Sequence, residues 1–119
     1  MKSRGFTLIE ILVVLVLVAL LASIATPIVS SSILRAKEST LKENLFVMRK
    51  AIDGYYADNR TYPQSLQLLV EKRYIRAVPV DPVTDSVETW ELVFAEEGII
   101  DIHSGSSDTA SDGTKYNEW

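Results

Sequence analysis

The sequence predicts an α+β protein, with a long N-terminal helix, membrane-spanning in its first half, packed on a small antiparallel β-sheet head. Three observations predict it. Residues 11–34 carry no charged side chain, and about 20 apolar residues suffice for a helix to cross a bilayer. Beyond them, apolar residues recur at helical period as far as Tyr55. After residue 88, two short runs rich in β-branched and aromatic residues flank a glycine-containing link, the pattern of a hairpin.

The first element begins behind a basic leader, Met1-Lys2-Ser3-Arg4, followed by Gly5-Phe6-Thr7-Leu8-Ile9-Glu10. Lys2 and Arg4 place the leader on the cytoplasmic side by the positive-inside rule, so the C-terminal region lies across the membrane. Glu10 is the only acid in the apolar segment. A carboxylate in hydrocarbon costs on the order of 2.5 kcal/mol at mid-membrane and less near an end, so it needs a partner or a function. An ordinary signal peptide cut after Ala25 conflicts with the length of the run and with Glu10. An unprocessed anchor explains the length but neither Glu10 nor the Gly5-Phe6 junction. Pro27 interrupts the run among small residues, and proline inside a helix removes a backbone hydrogen bond and kinks or breaks it.

The helix is expected to continue to about Ala57. Leu34, Leu41, Leu45, Met48, Ile52 and Tyr55 form one apolar stripe that should pack on the head rather than on lipid. Tyr55, Tyr56 and Tyr62 read as core and interface aromatics. Asp58-Asn59-Arg60-Thr61-Tyr62-Pro63 is a turn cluster. A short second helix fits residues 65–72. Residues 78–82 must be irregular or extended, because Pro79 and Pro82 each disfavour helix in the residue before. Residues 89–94 and 99–103 read as two strands joined by a hairpin-length turn. Residues 104–117 form a loop of Ser, Thr, Gly and Asp.

Composition bounds the function. The chain has 119 residues, no cysteine and a net charge of −4. That is one small domain near the lower limit for an independent core, with no thiolate chemistry. Residues 35–76 carry nine Lys/Arg and five Asp/Glu, whereas residues 81–119 carry ten acids and one base, Lys115. Such a division suits complementary surfaces between packed subunits and equally a solubilising pattern. It does not support a nucleic-acid surface. His103 stands alone. No catalytic constellation or phosphate-cradling loop is present, so the chain reads as non-enzymatic.

The segment Lys2-Ser3-Arg4-Gly5-Phe6-Thr7-Leu8-Ile9-Glu10 resembles the leader and cleavage site of type IV pilins and type II secretion pseudopilins. Tyr62-Pro63, Asp81-Pro82, Gly98-Ile99-Ile100-Asp101-Ile102 and Asn117-Glu118-Trp119 extend the likeness, most closely to the major pseudopilins, over nearly the whole chain. The absence of cysteine, and so of the disulfide common in type IVa pilins, leans that way or toward a different pilin branch.

The resemblance implies a leader at residues 1–5, a membrane and filament-core helix at 6–32, and an amphipathic helix plus periplasmic head at 33–119. It implies that a prepilin peptidase cuts between Gly5 and Phe6 and N-methylates Phe6. It assigns Glu10 to filament assembly, paired with the Phe6 amine of its own chain or of a neighbour. Pro27 belongs to the same machinery, and family filaments often lose helix around it.

The implied product is a homo-oligomeric pseudopilus supporting protein export. It would be drawn from inner-membrane lipid by an assembly platform together with minor pseudopilins, with no nucleic-acid partner. A surface pilus for adhesion, motility or DNA uptake shares the same anchor and fold, and a membrane-tethered binding domain is the reading from another class. In many major pseudopilins the loop after the last strand binds calcium. Here Asp108 and Asp112, with oxygens around Ser104, are the matching ligands, and a turn held by Asx hydrogen bonds is the alternative.

Overall fold

The computed structural model describes Gly5 and residues 7–119. Helix α1 spans Leu8–Asn59, α2 spans Leu66–Glu71, strand β1 spans Glu91–Ala95, β2 spans Gly98–His103, and a 3-10 turn, Tyr116–Glu118, closes the chain. The chain divides into two compact units, one ending at Arg35 and the other running from Ala36 to Trp119.

The first unit is helical from Leu8 onward, and its apolar side chains are exposed. Thr7 caps it. Its hydroxyl accepts from the Glu10 amide at 3.2 Å, and its carbonyl accepts from the Ile11 amide. Helix continues through Pro27, where the family filaments suggested a loss of helix. Small hydroxyl residues accompany the proline: the Ser23 hydroxyl donates to the Leu20 carbonyl, Thr26 to Ala22 and Ser32 to Ile28. Such back-bonding is one way a proline-containing apolar helix keeps its carbonyls satisfied.

In the second unit the stripe of α1 becomes core. Leu41, Leu45, Met48 and Ile52 are fully buried or nearly so, and they cluster with Leu69, Trp90, Ile99, Ile102 and Tyr116. Each such side chain contributes roughly 1.5–3 kcal/mol by leaving water. Leu34, expected in this stripe, is instead exposed and belongs to the first unit. Tyr55 packs edge-on against Tyr74 at 5.5 Å, and Tyr56 stacks on Tyr62 at 4.4 Å.

Helix α2 starts at an N-cap, Ser65, whose hydroxyl accepts from the Leu68 amide. The β1–β2 pair is antiparallel with a bulge between Val93 and Phe94. The first strand begins later than expected, because Trp90 turns inward and its indole N–H donates to the Pro79 carbonyl at 2.8 Å. Gly98 opens β2 at φ 130° against the carbonyls of Tyr62 and Pro63, where a Cβ would approach to 2.6 Å. Only glycine fits both the dihedral and the space. The predicted loop is more ordered than its composition suggests, with a Thr109–Lys115 bridge before the 3-10 turn.

Candidate functional site

The N-terminal site is built on the first turn of α1. Thr7 and Glu10 stand three apart, the spacing of a capping box, and this places the Glu10 carboxylate in the first turn, at the positive end of the helix dipole. Glu10 is exposed, as are Leu8, Ile9 and the apolar residues that follow. A helix that is apolar all round requires lipid or other helices around it. Gly5 is exposed, and Phe6, Lys2 and Arg4 lie outside the described residues, so the expected amine–Glu10 pairing falls there too. Thr7 is the residue that sequence reasoning missed, although Thr-x-x-Glu ahead of an apolar run was its signal.

The head is organised around three polar nodes, each linking segments distant in sequence. Glu38 lies on α1 and is almost fully buried. Its carboxylate accepts from the Ser111 amide at 2.9 Å, the Ser111 hydroxyl at 2.6 Å and the Tyr116 hydroxyl at 3.0 Å. The Ser111 hydroxyl and amide hold this carboxyl below the usual glutamate range, against the opposing effect of burial. Burial first, and then Glu38, push the Tyr116 phenol up to about 12.

Asp81 is fully buried. It accepts from the Val83 amide at 2.9 Å, the Ser104 hydroxyl at 2.6 Å and the Gly105 amide at 3.2 Å. Gly105 lies so close to Thr89 that a Cβ would meet its carbonyl at 1.9 Å.

Arg49 forms the third node. Its Nε donates to Asp101 at 2.9 Å, and Nη2 donates to the carbonyls of Ile102 at 2.8 Å and Trp119 at 2.6 Å. His103, expected to stand without partners, lies 2.6 Å by Nδ1 from the Trp119 carbonyl and 3.6 Å by Nε2 from Asp101.

The expected calcium ligands have the following contacts. Ser104 is buried and committed to Asp81. Asp112 Oδ1 accepts from both the amide and the hydroxyl of Thr114, which lower its pKa, the hydroxyl more. The Asp108 carbonyl accepts from the Tyr116 amide. Among the described residues no three His, Cys, Asp or Glu side chains converge as a metal-holding group. Ser104 and Asp112 are thus held by hydrogen bonds within the head, as in the Asx-type turn of the alternative reading.

A long apolar N-terminal helix followed in sequence by a small α+β head is the pilin-like architecture of a membrane-anchored subunit. Residues 1–26 match the family described as Prokaryotic N-terminal methylation motif. The type II secretion system core protein G of Klebsiella michiganensis is 34% identical over 124 residues, covering 90% of this chain and 85% of that protein. That of Klebsiella pneumoniae is 34% identical over 119 residues, covering 87% and 84%, and that of Pseudomonas aeruginosa is 32% identical over 129 residues, covering 95% and 89%. No solved structure gives a significant match. The chain belongs to the type II secretion system core protein G family.

Proposed function

We propose that this chain is the structural subunit of a pseudopilus, the helical filament of a type II secretion system. The carrying observation is the continuous match to core protein G over nine-tenths of the chain, with the methylation motif at its start. The exposed apolar half of α1 supports it, because a helix apolar all round requires lipid or other helices around it. In this reading the helix holds the subunit in the inner membrane with its head in the periplasm. Prepilin peptidase then cuts between Gly5 and Phe6 and N-methylates Phe6. An assembly platform lifts the subunit into the filament alongside minor pseudopilins, where the apolar helices cover one another.

Glu10 neutralises the new Phe6 amine, the only acid in the apolar segment able to do so. Pro27 lets the helix loosen in the packed filament. The role is that of a scaffold and needs no catalytic group.

Intact mass of protein extracted from membranes tests the processing step. The expected species begins at N-methyl-Phe6. A chain that keeps Met1, or one beginning at Thr26, would overturn the reading. Electron microscopy of cells carrying the secretion apparatus should show filaments, and a tethered domain acting alone would form none.

A further inference from the structure

Two apolar patches on the head remain uncovered within one chain. On α1, Phe46 is 61% exposed and lies in a groove of about 330 Å³ with Lys42, Arg49, Lys50 and Asp53. On the hairpin, Phe94 is 60% exposed near the end of β1. Glu96 and Glu97 follow it in the turn and are exposed. Among the described residues the ion pairs are Arg49–Asp101 and His103–Asp101, and Lys50, Glu96 and Glu97 have no ionic partner among those residues. An apolar centre with a charged rim is the anatomy of a protein interface, and an exposed aromatic on each side is the residue type that anchors one.

We propose that the Phe46 groove of α1, rimmed by Lys42 and Lys50, receives Phe94 and the hairpin turn, which carries Glu96 and Glu97, from a second copy of this chain. The inference rests on the filament reading and adds to it a named contact between heads. Charge complementarity selects the occupant. A cationic rim repels its own kind and matches the anionic turn that every copy carries.

The two patches are different surfaces, so the contact is heterologous, and heterologous contacts propagate into open filaments rather than closing a dimer. Exposed ion pairs add little affinity. Phe46 and Phe94 therefore supply the burial, and the charges fix the register.

The chain contains no cysteine, so introduced thiols report the contact cleanly. Full-length Phe46→Cys and Phe94→Cys variants, differently tagged, would be co-expressed with the secretion apparatus, and sheared filaments treated with a short bis-maleimide. The expected result is a cross-linked dimer containing both tags in mixed filaments, a ladder of higher species when one chain carries both changes, and no dimer from either change alone.

Filaments at wild-type yield without the mixed dimer would overturn the proposal and leave the filament reading standing. A dimer from Phe46→Cys alone, or a conjugate with a different protein, would overturn it as well. If the wild-type chain forms no filaments, both readings fall. Charge exchange provides a second measurement. Lys50→Glu should lower filament yield, and adding Glu96→Lys should restore it. Losses that merely accumulate would overturn the pairing.

Discussion

Glu38 is an acid on the apolar side of α1, three residues ahead of Leu41 and seven ahead of Leu45. Such a position is costly unless the carboxylate is hydrogen-bonded, and here three donors from the C-terminal loop satisfy it. Because its folded pKa is lowered, the unfolded chain takes up a proton first as pH falls below the ordinary glutamate value of about 4.3. The stability from this node is therefore complete above that value and is lost as pH falls through the depressed folded one. Tyr116 acts at the other end. Its raised value, about 12, means its contribution is complete below the ordinary tyrosine value of about 10 and is lost as pH rises through the folded one. Glu38→Ala should cost about 2–3 kcal/mol, because it strands buried donors. The melting temperature should drop by roughly 10–20 °C in a domain of this size, and the Glu38 part of the acid dependence should vanish. Thermal melts across pH 3–8 check both, and an unchanged acid limb in the variant would refute the assignment.

Among the elements, the loop after β2 carries the sharpest expectation. Asp112 closes a turn onto Thr114, and Ser104 ties the loop to Asp81. A ligand that binds only the folded state stabilises it by mass action. If Asp108 and Asp112 hold calcium, millimolar calcium should raise the melting temperature of the full-length protein in detergent, and Asp112→Ala should abolish the rise. An unchanged melting curve would reject the site and leave the hydrogen-bonded turn. In helix α1, Pro27 signals a kink or a break, and helix runs through it, where nearby hydroxyls bond to carbonyls of the preceding turn.

For the whole molecule, the apolar half of α1 decides what the protein does, since only lipid or other copies can cover it. In the proposed filament, Glu10 meets the Phe6 amine of its own chain or a neighbour's within that apolar interior. An unpaired charge there is strongly unfavourable. Glu10→Ala should still be cleaved and inserted but assemble poorly. The measurements are N-terminal mass, membrane fractionation and sheared filament yield. A normal yield from this variant alone would remove Glu10 from assembly.

Much of this was legible from local patterns. The uncharged run is contiguous, and the heptad-like stripe and hairpin repeat over short distances, so periodicity and length revealed the apolar helix and the strands, while the Gly5-Phe6 motif was legible through its resemblance to the pilin family. The partners of buried polar groups were not legible. Glu38 reaches Ser111 and Tyr116, Asp81 reaches Ser104 and Gly105, and Arg49 reaches Asp101 and Trp119. Each of these links joins residues more than twenty positions apart, a separation at which no local period operates. The chain's own order thus determined an anchored α+β subunit. Only the tertiary structure decided that the acidic tail is held by side chains of α1 and the Asp81 loop, because buried charges must be satisfied by whichever donors folding brings within hydrogen-bond reach.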